Sequence, residues 1–135
     1  MQGQSRPTDR LHRAARIVAG LGFLGAAAFN ATVTRRHPER AFNQMGDDAW
    51  LPPWQWLLRR VVIPHGPAVA TATAAFEAAA GLCMLGRGRV ARAGLLAGAG
   101  WAVVTTPVLP PVQAVGNLAI APALVFLAVA VEDPS

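Results

Sequence analysis

Apolar and charged positions separate along this chain into long blocks, and the apolar blocks are longer than a soluble helical core needs. Four stand out: "IVAGLGFLGAAAFNATV" at 17–33, residues 66–86 after "IPHGP", "ARAGLLAGAGWAVVTTPVL" at 91–109, and residues 112–131. Each has the length, about 20 residues, that a helix needs to cross a hydrocarbon core of about 30 Å. Pro64 and Pro67 suit a helix start, because a first-turn proline forfeits no internal hydrogen bond. Prolines at 107, 110 and 111 close the third block, and Glu132 and Asp133 close the fourth. The stretch 35–65 is the least regular. Within it Trp50, Leu51, Trp54, Leu57, Leu58, Val61 and Val62 recur at helical spacing, with Gln55, Arg59 and Arg60 on other faces. Tryptophan beside arginine at the edge of a span predicts a helix lying in the headgroup layer. The expected fold is all-α: a four-helix transmembrane bundle over residues 13–131, with an interfacial amphipathic segment between its first two helices. A flexible cytoplasmic N-terminus, 1–12, and a C-terminal tail, 132–135, flank it.

Composition sharpens this picture. Hydrophobic residues make up 53% of the 135 and charged residues 14%, against about 25% charged in an ordinary soluble domain. The charge gathers at 6–16, 35–65 and 87–92. The net charge is +5, carried by twelve arginines and no lysine. These arginines flank apolar runs and form no basic stripe with interleaved aromatics, so nucleic acid is not an expected partner; membrane lipids are. A basic start followed by an apolar run resembles a signal peptide, but Arg35 and Arg36 stand where cleavage wants small neutral residues. A retained helix is the better reading. Seven arginines fall on the side of the termini and the 87–92 loop, five on the other. The positive-inside rule then predicts an integral plasma-membrane protein with both termini cytoplasmic. The lone Cys83 excludes an intrachain disulfide and a CxxC redox pair, and His12, His37 and His65 are too scattered to predict a metal site.

One residue breaks the apolar pattern: Glu77, inside "TATAAFEAAAGLCMLG". An acid at mid-bilayer depth costs roughly 2.5–3.5 kcal/mol on insertion scales, so it must face protein or water and is the leading functional candidate, for proton exchange. Thr73 lies one turn before it, Trp101 and Thr105 share a face of the third span, Gln113 and Asn117 a face of the fourth, and Asn30 ends the first. All of them fall in the outer half. This asymmetry predicts a polar pocket open toward the outer leaflet, with Asn30, Thr73, Trp101, Thr105, Gln113 and Asn117 as ligand-binding residues. The segment carrying Trp50, Trp54, Arg59 and Arg60 would roof it as an interfacial lid, or serve as an anchor resting on the bilayer. Interhelical packing by the same polar side chains is the competing reading.

The stretches "RIVAGLGFLGAAAFNATV" and "FEAAAGLCMLGRGRVARAGLLAGAG" resemble the DoxX family of small four-helix membrane proteins. Arg16, Gly20, Phe23 and Leu24 match its first-helix opening. Phe76, Glu77, Gly81, Leu82, Leu85 and Gly86, with an arginine at 89 or 92, match its second-helix block. The family often carries Lys or His near the end of the first helix, where this chain has Asn30. The resemblance implies membrane redox company: some members are subunits of a thiosulfate:quinone oxidoreductase. It implies no intrinsic cofactor, a quinone as the small-molecule contact, and a protein partner or homo-oligomer. A non-enzymatic scaffold that docks or stabilises a partner, with Glu77 as a hydrogen-bonding hub, is the alternative.

Overall fold

The computed structural model describes residues 7–131; residues 1–6 of the expected flexible N-terminus and the expected tail 132–135 lie outside the described residues. Helix α1 runs Pro7–Phe29 and ends in a π turn, Asn30–Thr34. It therefore starts inside the segment expected to be flexible: Pro7 pre-sets the first turn, and Asp9 sits where the positive end of the helix dipole favours an acid. Helix α2 spans Pro38–Asp48. Helix α3, Pro52–Leu57, passes through a second π turn, Leu58–Val62, and a 3₁₀ turn, Ile63–His65, into α4, Gly66–Leu85. Helix α5 covers Gly88–Thr105 with a 3₁₀ turn after it, and α6 covers Pro111–Ala130. No strand occurs among the described residues.

All four apolar blocks are helical, yet they differ in strength. Three continuous helices, Pro7–Thr34, Pro52–Leu85 and Pro111–Ala130, are long and apolar enough to cross a membrane. Helix α5 is 18 residues long, but Arg89 and Arg92 in its first two turns keep it below the same apolarity. The amphipathic segment also runs into the second block without an intervening loop, over 34 residues. The expected start survives within it: α4 begins at Gly66 with Pro67 in its first turn, and His65 before it leaves helical geometry, with φ −114° and ψ 27°. Pro122 lies inside α6 without ending it.

α1 packs along α4, α4 along α5 and α5 along α6, with a smaller contact closing α6 onto α1. What lies inside is small. The buried face of α4 is Gly66, Ala70, Ala74, Glu77, Ala80, Gly81 and Met84; that of α6 is Ala114, Ala121, Leu124 and Ala128. Large apolar side chains lie outside, with Val112 86% and Val129 76% exposed and Val18, Leu82 and Phe126 among the many others. Water would drive such groups inward. Lipid does not, and membrane helices instead use small residues to bring backbones together.

Two crossings show this closely. A Cβ on Gly81 would stand 2.8 Å from the Gly20 carbonyl oxygen, and one on Gly20 would stand 3.0 Å from that of Gly81. A Cβ on Gly94 would meet the Met84 nitrogen at 2.7 Å and the Ala80 carbonyl at 2.8 Å. The tight apolar cluster is Met84, Leu95, Ala99, Leu124 and Ala128, with Ala19 and Phe23 against it. It occupies the half of the helices nearer the 86–88 turn.

At that same end two arginines turn inward. The Arg16 guanidinium donates to the carbonyls of Met84, at 3.0 Å, and Gly86, the last of α4. Arg92 donates to Ala128 at 3.2 Å and Val131 at 2.9 Å, the last of α6. Terminal carbonyls have no helical donor, and a cation there also complements the dipole. Replacing Arg16 with Gln, which retains a donor but not the charge, is expected to lower stability by about 1 kcal/mol, seen as a lower thermal midpoint in detergent.

Candidate functional site

Glu77 is buried because it shares the packed stripe of α4 with Ala70, Ala74, Gly81 and Met84 at three- and four-residue spacing. Only 6% of it is exposed, and its alanine and glycine neighbours leave room for a carboxyl between helices. α1 reaches this level where its π turn begins: the Arg35 N–H bonds the Asn30 carbonyl five residues back at 3.0 Å. Such local widening is frequent at functional positions. From that turn the Asn30 amide Nδ2 donates to Glu77 Oε2 at 2.7 Å. The ring of Trp101, on α5, packs on Phe76, the residue before the acid, with centroids 5.0 Å apart and planes tilted by 40°. The acid thus sits where α4 meets α1, with the partly exposed Phe76 beside it.

The other expected site residues divide. Thr105 and Asn117 meet each other, Asn117 Nδ2 donating to Thr105 Oγ1 at 3.0 Å, and both serve the end of α5. Pro107 has no N–H, and the Thr106 N–H bonds Val103 instead of Ala102. The Ala102 carbonyl, left without its helical donor, accepts from Thr106 Oγ1 at 2.7 Å and Asn117 Nδ2 at 3.2 Å, with Thr105 Oγ1 at 3.4 Å. Thr105 also donates to the Trp101 carbonyl at 2.9 Å. These two side chains cap a helix across the α5–α6 interface. Thr73 is half-buried one turn from Glu77, whereas Gln113 is exposed and takes no part in this group.

The Trp-rich segment is tied down by its backbone. The Trp50 N–H donates to the Pro107 carbonyl at 3.3 Å, and Gln55 Nε2 donates to the Ala49 carbonyl at 2.6 Å. Trp54 is half-buried, while Trp50, Arg59 and Arg60 are exposed; so is Trp56, which the spacing argument passed over. Arg59 pairs with Asp47 of α2 at 3.6 Å, both well exposed. None of the hydrogen bonds of this segment reaches Glu77. A groove of about 610 Å³ does open on α4, lined by Arg35, Pro67, Ala68, Thr71, Ala72 and Ala75. Helical spacing puts those positions on the face opposite Glu77, and none of the residues expected to bind a ligand lines it.

Several of the residues that carry the family resemblance meet one another. Arg16 caps α4 at Gly86, Gly20 lies on Gly81 and Leu85, Leu24 lies on Gly81, and Phe23 lies near Gly98. Asn30 continues the line to Glu77. These contacts form an α1–α4 seam, while Leu82 of the same block is 61% exposed. Among the described residues no three His, Cys, Asp or Glu side chains converge. Comparison with protein-family models, curated proteins and solved structures gives no match for this chain.

Proposed function

We propose that this chain is a DoxX-like integral membrane protein whose four long helices form a bundle across the plasma membrane with both termini cytoplasmic. In this reading it is an accessory, quinone-interacting subunit of a membrane redox system. The inside-out distribution of large apolar side chains supports the membrane setting. The redox role rests on one observation: an intramembrane carboxyl buried at mid-helix and hydrogen-bonded at 2.7 Å to a neutral amide. A Lys or His⁺ in the place of Asn30 would hold the acid ionised through an ion pair. An amide offers N–H to a carboxylate and, rotated, its carbonyl to a carboxylic acid. Asn30 therefore accommodates both protonation states, which suits a group that exchanges protons.

The quinone is a diffusible substrate. Its reduction takes two electrons, delivered by a partner protein, and two protons, one of them passed through Glu77. The partly exposed Phe76 ring, stacked on Trp101, offers a flat apolar face at the lipid side of the carboxyl. The scaffold reading has its own support: no buried side-chain nitrogen or oxygen among the described residues lacks a partner, and the groove lies elsewhere. In that reading Glu77 joins α4 to α1 and transfers nothing.

Replacing Glu77 with Gln separates the two, since Gln keeps the shape and the hydrogen bonding. Proton exchange predicts unchanged abundance in carbonate-washed membranes and a fall of about 10²-fold or more in quinone reduction by the copurified complex. Full quinone reduction by the Gln variant would eliminate the redox role and leave the scaffold.

A further inference from the structure

The groove on α4 has the layout of a lipid seat. Arg35, which follows the π turn of α1, lines it, and no carboxylate among the described residues pairs with that guanidinium. Its floor is Pro67, Ala68, Thr71, Ala72 and Ala75. The Thr71 hydroxyl is turned back onto the Pro67 carbonyl at 2.8 Å, so its donor is used and the floor is apolar. From 67 to 75 the helix rises about 12 Å, close to half of a hydrocarbon core of about 30 Å. A floor of that length matches the depth of one leaflet, and Arg35 supplies a cation beside it.

We infer that this groove binds one phospholipid, its acyl chain lying along Ala68, Ala72 and Ala75 and its phosphate ester on Arg35. A planar guanidinium matches two phosphate oxygens at once, and the bond strengthens where water is sparse. The small floor lets the chain approach the helix more closely than the Val- and Leu-studded faces of α6 allow. The inference rests on the membrane setting of the reading above and is independent of its redox chemistry.

The test uses the full chain, recovered from carbonate-washed membranes, stripped of lipid in mild detergent and titrated with phosphatidylglycerol under native mass spectrometry. The wild-type chain is expected to retain one phosphatidylglycerol and not the diacylglycerol of the same chains. Arg35→Gln should weaken retention about tenfold, and Ala72→Leu, which fills the groove from an exposed position, should abolish it. Arg40→Gln, outside the groove, should leave it unchanged, and inorganic phosphate should not displace the lipid. Equal retention by wild type and Arg35→Gln, or retention that survives both Ala72→Leu and Ala75→Leu, would reduce the contact to ordinary annular lipid and overturn the inference. Absence of the wild-type chain from the washed membranes would instead defeat the membrane reading itself, before any lipid is added.

Discussion

Gly94→Leu is expected to leave no stably packed protein. A Cβ at this position would lie 2.7 Å from the Met84 nitrogen, 2.7 Å from the Cys83 Cβ and 2.8 Å from the Ala80 carbonyl oxygen. Two of the three are backbone atoms of α4, so no rotamer change relieves the overlap. Helix α5 has to move away from α4, and the movement also opens the contact one turn on, where Gly98 lies under Met84 and Phe23. Overpacking of this kind costs about 3 kcal/mol or more when the backbone must shift. The measurement is the thermal midpoint and monodispersity of the purified chain in detergent. Gly100→Ala is the matched control: nothing lies within 4 Å of a Cβ there. Its stability should hold or rise by a few tenths of a kcal/mol, since alanine is the better helix former. A Gly94→Leu protein as stable as wild type would mean that α4 and α5 do not cross here.

The second large effect concerns the acid and its amide. Asn30→Leu strips Glu77 of its 2.7 Å donor while leaving the carboxyl buried. A buried acceptor that loses its partner costs about 1–3 kcal/mol. Membrane proteins average nearer 0.6 kcal/mol per interhelical hydrogen bond; a short bond to a carboxyl belongs above that average. Removing Glu77 as well, in Asn30→Leu/Glu77→Leu, replaces a polar pair with an apolar one, and part of the loss should return. The expected coupling across this cycle is about 1 kcal/mol or more. Additive single effects, with coupling under about 0.5 kcal/mol, would show that the two side chains do not act as a pair, and proton exchange would lose the partner that distinguishes this site.

How far the sequence carried these conclusions depends on which physical signal each feature leaves. The apolar blocks became helices because length and hydropathy are properties of the chain alone. The burial of Glu77 followed from its cost, while Asn30 and Trp101 were named as pocket residues from their place in the outer half of the spans. The bond between Asn30 and Glu77 was not readable, since it depends on the register of α1 on α4, and that register is set by Gly20 and Gly81 meeting backbone to backbone. Helix α2 escaped notice because Glu39, Arg40, Asp47 and Asp48 surround its buried Pro38, Phe42 and Gly46. The start signal was present nonetheless, a first-turn proline followed by an acid. Thr105 and Asn117 were expected in a ligand pocket, and the structure joins them to each other at the end of α5. Their task follows from Pro107: the Thr106 N–H serves Val103 in its place, which leaves the Ala102 carbonyl to the side chains, a consequence that periodicity does not display.

The alanine and glycine interior has a thermodynamic corollary. The heat-capacity change of unfolding comes mainly from apolar surface newly wetted by water. In the membrane setting proposed above, the large exposed side chains of α6 face hydrocarbon in the folded protein, and parting the helices exchanges small-residue contacts for lipid contacts. Little new surface meets water. The stability of such an assembly varies gently with temperature, and the chill-induced weakening that affects water-soluble cores has scarcely any grip on it.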